Sequence, residues 1–120
     1  MLEKICTDLE TSKRLKELGC EAETDFCWIP CNKKYMLVDC KYEPIILKDD
    51  IPAYTLEQIL NELPRNIMIS QIVYDLSIDN YDIGYHNILF KKTYIQFSKQ
   101  NNLATAAAKL LIKLKENEII

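Results

Sequence analysis

The stretch Tyr74-Asp75-Leu76-Ser77-Ile78-Asp79-Asn80-Tyr81-Asp82-Ile83-Gly84-Tyr85 decides the fold. Tyr74, Leu76 and Ile78 alternate with polar residues, and Tyr81, Ile83 and Tyr85 repeat the pattern. A period of two places one face of a strand on a core and leaves the other free. Asp79-Asn80 between the two runs is turn chemistry, so the stretch reads as a β-hairpin. Toward the C-terminus a third run, from about Lys92 to Phe97, extends the hairpin into an antiparallel meander. No pattern fixes the path of residues 87–91 between them.

Working outward, the periodicity changes from two to 3.6. Asn101 or Asn102 caps a last helix, on which Leu103, Ala106, Ala107, Leu110, Leu111 and Leu114 form one apolar stripe. Before the hairpin, Thr55 with Gln58 has capping-box spacing and heads a helix carrying Leu56, Ile59, Leu60 and Leu63, which Pro64 terminates. Near the start, Thr7 with Glu10 has the same spacing, and Leu9, Ser12, Leu15 and Leu18 share a face up to Gly19, which can end the helix in the left-handed conformation. From Asp25 to Cys40, Phe26 and Trp28 alternate with Cys27 and Ile29 until Pro30 stops the run. Tyr35-Met36-Leu37-Val38 resumes it after Asn32-Lys33-Lys34, giving a strand pair. The expected class is α+β. It is a single domain over residues 1–120, with an antiparallel sheet of about four or five strands packed by three helices in the order α-β-β-α-β-β-β-α.

A chain of 120 residues and 14.0 kDa suits one core, and 48% hydrophobic with 28% charged residues is an ordinary globular balance. A formal charge of -3 gives no general attraction to nucleic acid or to an anionic membrane. No apolar run approaches the roughly 20 residues that cross a bilayer. The opening Met1 to Cys6 lacks the basic end and apolar stretch of a secretory signal, so a cytoplasmic location is expected. Five cysteines, an odd number, then suggest reduced thiols packed as small core residues.

Three passages carry a family likeness: Ile5 to Thr7 with Ser12 to Gly19, Ala22 to Trp28, and Asn102 through Ala106-Ala107 to Asn117. The passage Tyr54 to Pro64, a helix closing on a proline, agrees with them. Together they resemble a family of small uncharacterised proteins encoded by prophages and mobile elements of anaerobic gut bacteria. The resemblance implies a bacterial, phage-like origin and brings no active site with it. The cysteines Cys20, Cys27 and Cys31 depart from the family pattern.

Cys20, Cys27, Cys31 and Cys40 supply the ligand count of a structural zinc site, but only Cys27 and Cys31 are close, and incidental thiols fit the spacing better. A cysteine nucleophile would need a base, and the one histidine, His86, lies far along the chain. Gly19 and Gly84 alone cannot build a phosphate-cradling loop. Asp49, Asp50, Asp75, Asp79 and Asp82 suit turns. From Lys91 to Lys115 every charged residue is a lysine, which makes Lys109 and Lys113 candidates for nucleic-acid contact, although a solvated basic face is the commoner meaning. Trp28, Tyr74, Tyr81 and Tyr85 fall on strands, where they either fill the core or line an open sheet face.

The favoured expectation is a non-enzymatic accessory protein that binds a macromolecule through an open sheet face. Protein is favoured over nucleic acid as partner, with no membrane and no cofactor, and oligomerisation is left open. The alternatives are a metal- or thiol-dependent protein using Cys27 and Cys31, and a nucleic-acid binder using the C-terminal lysines.

Overall fold

The computed structural model describes residues 2–20, 23–40, 50–99 and 102–120. Ala22, Asp49 and Asn101 lie outside them. A short 3-10 turn, Leu2–Lys4, precedes helix α1, Leu9–Glu17. Strands β1, Phe26–Cys31, and β2, Lys34–Asp39, form a hairpin, and β3, Ile51–Ala53, leads into α2, Leu56–Glu62. Strands β4, Asn66–Ile69, β5, Ile72–Ile78, β6, Asp82–Asn87, and β7, Lys92–Ser98, then run to α3, Leu103–Glu116. The class is α+β, and the expected strands are distributed over two antiparallel sheets, ordered β2-β1-β3 and β4-β5-β6-β7.

The meander follows from its alternation. Leu76 pairs with Tyr85 and Ile78 with Ile83, which puts all four apolar side chains on one face. That face carries the main core, where Ile67, Tyr74, Ile83 and Tyr85 meet Ala106, Ala107, Leu110, Leu111 and Leu114 of α3, Ile59 of α2 and Leu63 just after it. The alanines let α3 lie close on β6 and β7. Gly84 serves the same end between strands, because a Cβ there would fall against the Ile95 carbonyl oxygen and within 2.9 Å of the Gln96 Cα. The Tyr85 hydroxyl donates to the Pro64 carbonyl oxygen at 2.6 Å, which satisfies its one polar atom and ties β6 to the end of α2. A bulge between Tyr85 and His86 admits Tyr94, whose ring sits 5.7 Å from that of Tyr74.

The smaller sheet has its own cluster of Cys6, Leu37 and Ala53, closed by Leu2, Phe26 and Trp28. Pro30 does not stop β1 as expected. The third strand pairs only with Phe26 to Trp28, so Pro30 sits where β1 is already an edge and its missing N–H costs no ladder bond.

Two helix starts match their sequence signals and one is corrected. Thr55 and Gln58 form the capping box of α2, and Asn102 caps α3 by accepting from the Thr105 N–H at 2.8 Å. The cap of α1 is Asp8, which accepts from the Thr11 N–H at 2.8 Å, and not Thr7. The Thr7 hydroxyl is buried instead, 2.7 Å from the Ser12 hydroxyl and accepting from the Tyr54 N–H at 3.1 Å. It stitches α1 to the end of β3. Gly19 ends α1 at φ +79°, as its position predicts.

Candidate interaction surface

The connection between β6 and β7 is a turn whose geometry one side chain imposes. Asn87 Oδ1 accepts from the Phe90 N–H at 2.7 Å, and Asn87 Nδ2 donates to the Val73 carbonyl oxygen at 2.8 Å. The Lys91 N–H donates to the Ile88 carbonyl oxygen at 3.3 Å, and Lys91 takes φ +51° to turn the chain into β7. Asn87 therefore braces the turn against β5. The turn holds up three consecutive large apolar side chains, Ile88, Leu89 and Phe90, exposed by 83%, 89% and 64%.

Three neighbouring exposed apolar side chains in a braced turn are unusual, since apolar surface left in water is normally scattered. The β4–β5 turn lies at the same end of the sheet, because the strands alternate in direction. Near it, Met68 and Val73 form a cross-strand pair on the outer face, both exposed. Lys91 and Lys92 follow the triplet, and no carboxylate occurs in the sequence between Asp82 and Glu116.

The tyrosines expected to line an open face divide otherwise. Tyr85 is fully buried and Tyr74 nearly so, both in the main core, which removes them from any contact surface. Burial raises the Tyr85 hydroxyl to about 12. The outer face that remains carries Asp75, Ser77, His86, Thr93 and Gln96 rather than aromatic rings, because the alternation aims every tyrosine of β5 and β6 at α3. Tyr81 alone of the three is exposed, in the β5–β6 turn at the opposite end of the sheet from Ile88. Trp28 is half-buried on the small cluster, and its Nε1–H donates to the Thr7 carbonyl oxygen at 3.2 Å.

The cysteines correct a second expectation. Cys27 is bonded to Cys40, with their Cα atoms 6.4 Å apart, so these two are not reduced thiols. The register explains it: Cys27 pairs with Val38, and Cys40, two residues on, shares its face as a diagonal neighbour. Cys6, Cys20 and Cys31 are free, buried, half-buried and exposed respectively. Burial, with Glu3 nearby, pushes the Cys6 thiol up to about 11. The proposed quartet of Cys20, Cys27, Cys31 and Cys40 therefore does not converge, and among the described residues no three of His, Cys, Asp and Glu form a metal-binding group. His86 bonds to the Thr93 hydroxyl through Nδ1 at 2.8 Å on the outer sheet face, in a sheet that contains no cysteine.

Lys109 and Lys113 lie one turn apart on α3, the first half-buried and the second exposed. An open cavity of about 780 Å³ sits where α2 and α3 begin, with Ile5, Leu56 and Leu103 in its lining and Lys4, Lys99 and Glu57 among its charged groups. No helix is long and apolar enough to cross a membrane among the described residues. The class these features define is a two-sheet α+β protein with a braced apolar hairpin tip. Comparison with protein-family models, with curated proteins and with solved structures brings no match.

Proposed function

We propose that this chain is a non-enzymatic binding module that seats Ile88, Leu89 and Phe90 in an apolar recess of a protein partner. The observation that carries the reading is the brace: Asn87 spends both ends of its side chain holding an apolar triplet away from the core. Burying one such side chain is worth about 2 kcal/mol, so the triplet offers about 6 kcal/mol before the costs of association. Because Asn87 already orders the turn, little of that gain is lost in fixing the loop. The contact surface expected on the tyrosine-bearing sheet face is thereby relocated to one end of the same sheet.

Placing the module among accessory proteins of phages and mobile elements rests on the resemblance of residues 5–19, 22–28 and 102–117. The expected cytoplasmic location is opposed by the Cys27–Cys40 bond, which oxidising compartments favour. The tip does not depend on either.

The test is a pull-down from lysate of the encoding cell, with nuclease, comparing the native chain with I88S/L89S/F90S. The reading requires a protein that the native chain retains, that the triple variant loses, and that nuclease leaves in place. Retention by a triple variant of unchanged melting temperature would overturn it. Capture that nuclease abolishes would move the function to Lys109 and Lys113.

A further inference from the structure

We propose that the outer edge of β7 accepts an extended acidic segment of the partner as an added strand, a step that rests on the tip being the contact surface. The order β4-β5-β6-β7 leaves β7 at the edge, and among the described residues its backbone bonds to β6 alone. The Lys99 N–H donates to the Tyr81 carbonyl oxygen at 2.5 Å, which continues the register of Asp82 with Ser98 and Ile83 with Phe97. In an antiparallel ladder alternate residues spend both backbone groups on the same neighbour. Phe97 and Ile95 thus bond inward to β6, while Gln96 and Ser98 direct N–H and C=O outward. Both are exposed.

The distribution of charge selects the occupant. Edges are commonly protected by lysines within the strand. Here Thr93 to Ser98 carries no charge, and the lysines stand at the two ends, Lys91 and Lys92 beside the tip and Lys99 at the far end. The ladder is left open and flanked by cations. A second copy of the chain is disfavoured at this edge, because antiparallel pairing of β7 with itself would bring Lys92 of one copy near Lys99 of the other at both ends. A segment with carboxylates at its ends and uncharged residues between satisfies both the free backbone and the lysines. At about 3.4 Å per residue the seven residues of β7 accommodate about six partner residues.

Selection of displayed random nonapeptides on the full-length chain tests this. Enriched peptides are expected to carry Asp or Glu toward their ends around β-branched residues, and to bind about tenfold more weakly as salt rises to physiological ionic strength. Ser98→Pro, which removes an outward N–H that β6 does not use, should weaken binding at least about tenfold, whereas Ser98→Ala should not. Lys92→Glu with Lys99→Glu, surface changes that leave the core intact, should turn the preference toward basic peptides. No enrichment, enrichment without acidic bias, unchanged affinity in Ser98→Pro, or self-association of the native chain would each overturn the proposal. If the edge variants keep the protein captured in the pull-down while I88S/L89S/F90S loses it, the tip reading stands and the added strand falls. The reverse pattern would sink the tip reading and, because the added strand rests on it, the proposal as stated.

Discussion

Asn102 and Cys6 are 96 positions apart, and the Asn102 side-chain amide donates to the Cys6 carbonyl oxygen at 2.8 Å. The same nitrogen donates to the Glu3 carbonyl oxygen at 2.8 Å, while Asn102 Oδ1 caps α3. One buried side chain thus starts the last helix and fastens the first residues of the chain to it. Asn102→Ala loses the cap and leaves a buried carbonyl without a donor, at a cost of about 3 kcal/mol, or a melting temperature lower by about 12 °C. Asn102→Ser keeps only the cap and should cost about 2 kcal/mol. Asn102→Asp should fare no better than alanine, since its carboxylate keeps the cap but faces two carbonyl oxygens. Equal melting of the serine variant and the native chain would show that the bonds to Glu3 and Cys6 contribute nothing.

The Cys27–Cys40 bond closes a loop with a separation of 13 residues around the β1–β2 hairpin. Cross-linking a loop of that size stabilises by about 3 kcal/mol through the unfolded chain. Reductant, or Cys27→Ser with Cys40→Ser, should therefore lower the melting temperature by about 12 °C, while Cys31→Ser should leave it unchanged. In the native chain without reductant, maleimide should label the exposed Cys31 first and reach the buried Cys6 only on unfolding. Labelling of Cys27 under those conditions would contradict the pairing.

Alkali should destabilise the fold in a defined order. The Cys6 thiol keeps its proton to about 11 in the folded chain, against an ordinary 9.0, and the Tyr85 hydroxyl to about 12, against 10.0. In both, burial disfavours the anion, so the unfolded chain loses protons first and unfolding becomes easier as pH rises. The stabilisation is complete below pH 9.0 and declines through the window up to about 11 for Cys6. Denaturant titrations at stepped pH should show this fall. Cys6→Ala should move its onset up toward the ordinary tyrosine range, and an unchanged onset would assign the effect elsewhere.

What the sequence made legible was local. The capping box at Thr55, the cap at Asn102 and the stripe Leu103 to Leu114 each depend on residues within one or two helical turns. The Tyr74 to Tyr85 hairpin depends on an alternation nothing interrupts. The strand β3 escaped because Ile51 to Ala53 is too short to show a period and exists by pairing with Phe26 to Trp28 across the chain. The disulfide escaped because counting cysteines is blind to register, which alone makes Cys27 and Cys40 neighbours. Thr7 misled because the capping-box spacing is real, yet its hydroxyl is claimed by Tyr54 and Ser12. The tip was unread for a related reason, although its signal was present. Ile88-Leu89-Phe90 has no period of its own, but an apolar triplet between two hairpin strands must occupy a connection, and connections lie on the surface.

The turns show the same limit and can be improved. Ser70-Gln71 joins β4 to β5 with φ of 52° and 70°, and Asn32-Lys33 joins β1 to β2 with φ of 50° and 66°. Two-residue connections with both φ positive are the mirror-image turns that match the twist of a hairpin, and they favour Asn-Gly. Neither connection contains a glycine, so three of the four positions hold residues poorly suited to left-handed backbone, which costs an ordinary side chain about 1 kcal/mol or more. Ser70→Asn with Gln71→Gly should therefore stabilise the chain by about 1 kcal/mol, net of the freedom glycine adds to the unfolded state, and raise melting by about 4 °C. Lys33→Gly beside the native Asn32 should act in the same direction. Gln71→Val should do the opposite, because a β-branched side chain resists positive φ more strongly than glutamine. These positions lie at strand ends away from the main core, so the gains at the two turns should add. A loss of stability in the Asn-Gly variant would mean that the Ser70 or Gln71 side chain holds the β4–β5 turn by contacts of its own.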